Sequence, residues 1–179
     1  MNFTNNLLDV SALPRHEEAT ITAIEAKYWK VIVINFLMSF IIYGVIVGVA
    51  FYFIEKLKPY LWYVLAAYIL LMFLSFLLQR KSFKNRGYAL RERDIIYRRG
   101  VLSVITTIIP FNRIQNVAIN EGFLSRKYGL AQLHVFTAGG SSSDIKLSGL
   151  LKADAENMKE MILQQIVKKA DDADIKITE

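Results

Sequence analysis

The clustered arginines are the residues of this chain whose type and spacing are best suited to bind a ligand. Arg91, Arg93, Arg98 and Arg99 lie within a stretch of nine residues. A guanidinium group donates two parallel hydrogen bonds to a carboxylate or a phosphate, so this cluster favours binding of an acidic partner or an anionic lipid. Further candidates for contact with a lipid or a protein partner occur later in the chain, at Arg113, Arg126 and Lys127.

No arrangement of residues typical of an enzyme accompanies these arginines. The sequence contains no cysteine and only two histidines, His16 and His134. Disulfides and thiolate metal sites are therefore excluded, and the carboxylates are not clustered as a metal site requires. The loop 139–143 leads into a strand and lacks the Lys-Ser/Thr of a phosphate-binding loop. We expect no enzymatic activity, no cofactor and no catalytic or metal site.

Two uncharged segments near the start of the chain must position the basic residues. Val31 to Ile54 has 24 residues without a charge, and Pro59 to Gln79 has 21, with only four residues between them. At about 1.5 Å per residue, a helix of either length reaches the roughly 30 Å of a bilayer core. The short gap predicts a transmembrane helical hairpin over residues 28–79, which makes the lipid bilayer the first expected partner.

Basic residues give the predicted hairpin a direction. Residues 79–131 hold eleven basic and three acidic side chains, whereas residues 1–78 are neutral and residues 132–179 carry a net charge of −2. The positive-inside rule therefore predicts a multi-pass protein of the cell membrane with both termini in the cytoplasm. Residues 80–86 could serve only to fix this topology, or the basic face could bind anionic lipid. We expect no nucleic-acid binding, because no nucleic-acid-binding motif accompanies the cluster.

The first span also contains two glycines one helical turn apart. Gly44 and Gly48 form the GxxxG spacing through which helices approach closely in lipid. They are candidate helix-packing residues. Packing against the second span, which offers Ala66, Ala67 and Ser75, and dimerisation of the protein are both open alternatives.

The individual basic residues have structural interpretations as well. Arg113 follows Pro110 at a predicted strand boundary, where a hydrogen bond or an ion pair of its guanidinium could hold the bend. Solvation alone could account for Arg126 and Lys127. The sequence does not decide between these interpretations and binding.

Beyond the hairpin the pattern changes to short β-type segments followed by one helix. Helical character ends at Asn85–Gly87, and segments rich in β-branched and aromatic residues follow as far as Leu147. Apolar residues then recur at spacings of three and four, which predicts an amphipathic helix ending near Ala170. We therefore predict an α+β protein, in which the hairpin precedes an antiparallel β-sandwich or half-barrel over residues 80–170, capped by the C-terminal helix.

The remaining segments carry weaker signals. Residues 1–27 are predicted to be an N-terminal cytoplasmic segment, whose last part could form a short helix over Ala19–Lys30. Phe123–Tyr128 is predicted to be a turn. Residues 171–179 are predicted to be a frayed acidic tail.

Four stretches of the domain resemble a known family. They are Asp94–Leu102 (DIIYRRGVL), Ile109–Val117 (IPFNRIQNV), Arg126–Ala131 (RKYGLA) and Thr137–Gly139 (TAG). Together they resemble the bacterial pleckstrin-homology-like (PH-like) domain of the YdbS type, and the resemblance covers nearly the whole chain. It implies two orthogonal antiparallel sheets capped by a C-terminal helix, in a small protein of the bacterial inner membrane.

The resemblance implies association with other proteins and no particular reaction. Related bacterial domains assemble, and YdbS-type proteins commonly accompany a longer homologue with repeated domains. The short connection Glu92–Asp94 carries two acids, which argues against the phosphoinositide recognition of eukaryotic PH domains. We expect a scaffold or assembly subunit of a membrane complex, with another membrane protein or a second copy as its partner. The alternative is a sensor of anionic lipid headgroups through the juxtamembrane basic face.

Overall fold

Two long helices form the first half of the structure. The computed structural model describes residues 20–139 and 144–175. Helix α1 spans Tyr28–Phe53 and α2 spans Leu61–Lys84, with a short 3-10 helix at Glu55–Tyr60 between them. Both helices are long and apolar enough to cross a membrane. Core helices of a soluble protein would be mostly buried, whereas Val31 is the one buried residue among the described residues of α1 and α2.

Aromatic side chains hold the two helices together. The ring centroids of Phe36 and Phe76 lie 5.4 Å apart, and those of Trp29 and Phe76 lie 5.7 Å apart. Nearer the turn, the Tyr68 hydroxyl donates a hydrogen bond to the Phe40 carbonyl. Packing contacts and hydrogen bonds of this kind are what joins helices in lipid, where the hydrophobic effect is absent. The predicted helical hairpin is confirmed.

The two glycines of the first span differ in their surroundings. A Cβ at Gly44 would lie 3.4 Å from the Tyr68 hydroxyl oxygen, an ordinary contact distance, so this glycine faces α2. No described atom lies within 4 Å of the corresponding position at Gly48. Gly44 therefore packs within the hairpin, whereas Gly48 leaves room for a further helix. Dimerisation through Gly48 stays a prediction.

A β-rich domain follows the hairpin and includes a strand that precedes it. The first sheet has the order β1-β2-β3-β4 and the second has the order β5-β6-β7, and all neighbouring pairs are antiparallel. The strands are β1 Thr22–Ala23, β2 Gly87–Leu90, β3 Asp94–Gly100, β4 Val104–Pro110, β5 Ile114–Asn120, β6 Leu130–Thr137 and β7 Ile145–Leu151. Helix α3 (Phe123–Lys127) joins β5 to β6, and α4 (Lys152–Ile175) follows β7. The predicted α+β fold class is confirmed.

The sequence of the first sheet explains its turns. Gly100 ends β3 with a φ of 144°, and a Cβ there would lie 1.9 Å from the Ser103 carbonyl oxygen, so only glycine fits this turn. Pro110 ends β4, as expected for a residue that cannot donate to a strand ladder. The 3-10 turn Phe111–Arg113 then carries the chain to the second sheet.

The core lies between the two sheets and under α4. Ile95 of β3 and Leu133 of β6 are fully buried. The final helix adds Ala155, Met158 and Ile162 to the same cluster, at spacings of three and four. The predicted apolar face of the C-terminal helix is thus confirmed, and burial of each large side chain stabilises the fold by roughly 1.5–3 kcal/mol.

The segment before α1 is bound to both sheets. The short helix predicted over Ala19–Lys30 is wrong in its first part, since β1 lies there and pairs with β2. Ile24 is buried, and the Glu25 N–H donates to the Gly149 carbonyl of β7 at 3.0 Å. Local propensity missed this strand because its partner, β2, lies beyond the whole hairpin in sequence. Part of the predicted N-terminal segment 1–27 therefore belongs to the domain.

Helix α2 ends at Lys84, in agreement with the predicted end of helical character at Asn85–Gly87, and the lysines of its last turn suit the helix dipole. Residues 80–84 therefore belong to this helix, although the predicted domain begins at residue 80. Two further segments differ from the prediction. Phe123–Lys127 is a short helix, in which the Arg126 N–H donates to the Gly122 carbonyl. Helix α4 extends to Ile175, into the predicted acidic tail 171–179. Residues 1–19 with His16, residues 140–143 of the predicted loop, and residues 176–179 lie outside the described residues.

Candidate functional site

The two sheets part on one side of the domain, between β4 and the start of β7. Each of these strands ends its sheet, so each has one edge without a neighbouring strand in the described part of the chain. Towards its end β7 is covered, because Glu25 donates to the Gly149 carbonyl. An opening of about 440 Å³ lies between the remaining uncovered edges.

Polar side chains from both sheets meet in this opening. Its walls include Arg99, Asn112, Arg113, Thr137 and Asp144. Arg99 and Arg113, two of the predicted contact residues, are both exposed, and neither forms an ion pair with a described residue. Two guanidinium groups at one opening can bind a carboxylate or a phosphate through several charge-assisted hydrogen bonds.

Thr137 gives the opening an unused hydrogen-bonding group. Its residue is only 6% exposed, and its Oγ1 has no hydrogen-bond partner among the described residues. The Thr137 N–H, by contrast, donates to Asp144 Oδ1 at 2.9 Å. A buried hydroxyl without a partner costs about 1–3 kcal/mol. Less than 1 Å² of this oxygen is accessible, so a ligand in the opening would reach it only after a neighbouring side chain had moved.

Apolar side chains are exposed along the uncovered edge of β4. Val104, Ile105 and Ile108 are 48%, 53% and 42% exposed. Natural edge strands are commonly protected by charged side chains or bulges. The sequence of β4 contains no charge, and its register with β3 is regular along its whole length. Such an edge is a suitable template for a further strand.

The other predicted arginines of the first cluster lie elsewhere. Arg91 and Arg93 occupy the β2–β3 turn. This turn is remote from α1 and α2, because β2 begins just after α2 and leads away from it. Arg91 donates to both carboxylate oxygens of Asp94, at 2.6 and 2.7 Å, and this hydrogen bond raises the pKa of Arg91. Arg98 is half-buried and points to the opposite face of β3 from Arg99. The structure thus divides the basic cluster.

Arg126 and Lys127 lie at the end of the domain that carries the helices. Both are exposed on α3, which packs beside α1. A shallow pocket between these two helices is lined by Val31, Met38 and Phe123. This pair is therefore placed beside a candidate membrane span.

A buried tyrosine of the core lies near Arg99, which lines the opening. Tyr97 is 3% exposed. Burial raises the pKa of the Tyr97 phenol above its usual value of 10.0, while the charges of Arg86 and Arg99 lower it. The phenol therefore stays protonated at neutral pH, and its surroundings keep it close to the positive charge of Arg99.

The described residues contain no cluster of three or more His, Asp or Glu side chains that could hold a metal ion. His134 packs against the ring of Phe136, with 4.0 Å between the centroids. This contact fits a structural role of His134 on β6.

Sequence reasoning missed several residues of the site. Asn112, Thr137 and Asp144 join it only because β6 and β7 pack beside the bend after β4, and no local pattern marks them. Leu102 and Phe123, which are strongly exposed, were also missed. The only sequence feature that could have indicated them is that each is a large apolar residue next to a turn.

Two antiparallel sheets of four and three strands, followed by a helix that closes the core, define a PH-like domain. The family model of the bacterial PH domain matches residues 31–166. The chain belongs to the bacterial PH domain family, as the four short stretches suggested. No curated protein and no solved structure matches the chain.

Proposed function

We propose that this protein is a membrane-anchored, non-enzymatic PH-like module that serves as an assembly subunit of a membrane complex. The observation that carries this proposal is the uncharged apolar edge of β4 beside the opening. In this proposal α1 and α2 cross the bacterial inner membrane, and both termini lie in the cytoplasm. The partner is an extended segment of another membrane protein.

Strand addition is the binding mode that suits β4. A partner segment that paired with its free edge would gain backbone hydrogen bonds. Its side chains would cover Ile105 and Ile108, of which Ile108 lines the opening. Both isoleucines are now about half exposed, so their burial favours association through the hydrophobic effect.

The opening adds selectivity for an acidic group. A carboxylate of the partner segment, placed between Arg99 and Arg113, would receive charge-assisted hydrogen bonds that are stronger than neutral ones. An apolar segment without an acid would lack these contacts, so the opening distinguishes between otherwise similar segments.

Sensing of anionic lipid is the second candidate function. It is supported by Arg126 and Lys127, which lie beside α1, and by the lysines in the last turn of α2. The position of Arg91 and Arg93 favours the assembly function over lipid sensing. The β2–β3 turn, which carries both residues, lies at the end of the domain remote from α1 and α2. A flat bilayer crossed by α1 and α2 would not reach these two residues.

The assembly proposal can be tested with photo-crosslinking in membranes. A photoreactive residue at position 105 is expected to capture a distinct protein, and the variant Ile108→Lys should abolish that product while leaving the folded domain intact. Val167 is a matched control position, since it is an apolar residue of α4 that is 58% exposed. A photoreactive residue at 167 should not capture the same protein.

The preference of the opening for an acidic partner segment can be tested separately. The variant Arg113→Gln should weaken capture at position 105 severalfold without changing the melting temperature. A chain that is strictly monomeric by light scattering and that gives no crosslink at position 105 would contradict the proposal. A crosslink between two copies of the chain would replace the proposed partner by a homo-oligomer.

A further inference from the structure

Two strongly exposed apolar side chains stand at the end of the domain that carries the helices. Phe123 begins α3 and is 80% exposed, and Leu102 lies in the β3–β4 turn and is 88% exposed. A single exposed apolar residue requires no explanation. The position of this pair relative to α1 and α2 is what indicates a role.

Phe123 lies beside the part of α1 that begins the uncharged run. It lines one pocket together with Val31, Asn35 and Met38 of α1. Lys30 is the last charged residue before that run, and Met38 follows it by eight residues, about 12 Å along a helix. The ring of Phe123 is therefore placed beyond the level of Lys30, next to the segment proposed to enter the bilayer.

Leu102 lies beside the end of α2 that carries the lysines. The Asn85 side-chain amide, at the end of α2, donates to the Gly100 carbonyl at 3.2 Å. This hydrogen bond holds the β3–β4 turn against the last turn of α2, and Leu102 follows Gly100 by two residues. Lys81 and Lys84 belong to the same last turn of the helix. Such lysines mark the level of the lipid headgroups.

We infer that the domain docks on the lipid surface through Phe123 and Leu102, whose side chains enter the boundary between headgroups and acyl chains. One anchor comes from each sheet, one beside each helix of the hairpin. Arg126 and Lys127 follow Phe123 on α3, where basic groups next to an apolar anchor gain from contact with anionic lipid phosphates. The inference rests on the proposed membrane span, because the bilayer covers these side chains only if α1 and α2 cross it.

Docking of this kind fixes the direction in which the opening faces. Asn112 and Arg113 follow β4, and Thr137 and Asp144 lie at the β6–β7 connection, all at the strand ends remote from α1 and α2. Arg99 lines the opening from the other end of the first sheet, next to Gly100, which is bonded to Asn85 at the end of α2. The part of the opening around Arg113 is then directed into the aqueous phase, where a protein segment reaches it.

The absence of native cysteine allows a direct test on the full chain. Single-cysteine variants Leu102→Cys and Phe123→Cys, reconstituted in vesicles of phosphatidylcholine and phosphatidylglycerol, would carry an environment-sensitive fluorophore. Glu92→Cys, in the exposed β2–β3 turn, is the matched control in water, and Leu70→Cys of α2 is the control in lipid. Quenching by a nitroxide attached to the lipid headgroup region is expected to be severalfold stronger at 102 and 123 than at 92.

The controls separate failure of the docking from failure of the span. If the fluorophore at 70 is quenched by a deep acyl-chain nitroxide while 102 and 123 behave like 92, the docking is refuted and the span stands. If 70 is reached by aqueous iodide as readily as 92, the proposed span is refuted as well.

A second readout avoids the apolar fluorophore, which could itself enter the membrane. A charged, water-soluble maleimide should modify the thiols at 102 and 123 severalfold more slowly in vesicles than the thiol at 92. Equal modification rates at all three positions would overturn the inference.

Discussion

Strand β6 buries its apolar residues far more completely than strand β4. In β6, Leu130, Leu133 and Val135 are at most 1% exposed, whereas in β4 Ile105 and Ile108 are 53% and 42% exposed. The difference follows from position, because β6 lies between β5 and β7 and under α4, whereas β4 is the edge strand of its sheet. The free edge of β4 has no comparable cover within the described residues.

The comparison teaches that similar residue types have different roles in the two strands. Aliphatic side chains of β6 stabilise the core, and the exposed ones of β4 are available for association. The same truncation should therefore act on folding in β6 and on binding in β4. Four predictions test this division, from the largest expected effect to the smallest.

Truncation in the second sheet should have the largest effect on stability. Leu133→Ala removes a fully buried side chain and is expected to lower the free energy of unfolding by about 2–5 kcal/mol. Ile105→Ala in β4 should change it by no more than about 0.5 kcal/mol. Denaturant unfolding of the full chain in detergent, followed by near-UV circular dichroism, measures both. Equal losses would contradict the division between the two strands.

The link between the second sheet and α1 can be broken at a glycine. Gly149 has a φ of 83°, and a Cβ there would lie 2.7 Å from Tyr28 Cγ. Gly149→Ala is therefore expected to cost about 2–3 kcal/mol, from backbone strain and displacement of the Tyr28 ring. Gly129→Ala is the matched control, since its φ is 68° with no described atom within 4 Å, and strain alone should cost about 1 kcal/mol. A larger loss at Gly129 would contradict the packing of Tyr28.

Removal of an unpartnered hydroxyl should stabilise the protein. Thr137→Val replaces the buried Oγ1 by a methyl group of similar size and is expected to raise the free energy of unfolding by about 1 kcal/mol. The same variant should weaken capture of a partner at position 105. Thr22→Val, in β1 at the opposite edge of the first sheet, should leave capture unchanged. A loss of stability in Thr137→Val would show that the hydroxyl already has a partner.

The smallest effect concerns alkaline pH. The pKa of Tyr97 is raised above 10.0 in the folded state, chiefly by burial, so the unfolded chain releases this proton at lower pH. Stability should therefore fall as the pH rises above about 10, through the raised pKa of the folded state. Tyr97→Phe should make the melting temperature less dependent on pH in this range. An unchanged pH dependence would assign the effect to other groups, such as Tyr88, whose pKa burial also raises.

Local patterns predicted the elements of the fold well. The uncharged runs indicate α1 and α2 because a helix in lipid must be apolar along its whole length. The spacing of Ala155, Met158 and Ile162 indicates the buried face of α4 because periodicity is a property of neighbouring residues. The short β1 escaped prediction, since its pairing with β2 joins Thr22 to Tyr88 across the entire hairpin.

The candidate site was predicted only in part. Arg99 and Arg113 were singled out for their chemistry, but nothing in the sequence indicated that they meet at one opening while Arg91 pairs with Asp94. The unpartnered hydroxyl of Thr137 could not be recognised either, because burial depends on what packs around it.

The sequence by itself determined the hairpin, the order of strands and helix, and the family, since these follow from composition and local spacing. The tertiary structure alone decided which arginines line the opening, which edge of the sandwich stays uncovered, and that Phe123 and Leu102 flank the helices. The physical reason is that these properties arise from contacts between segments far apart in the chain. Such contacts form only when the two sheets, α4 and the segment around β1 pack together.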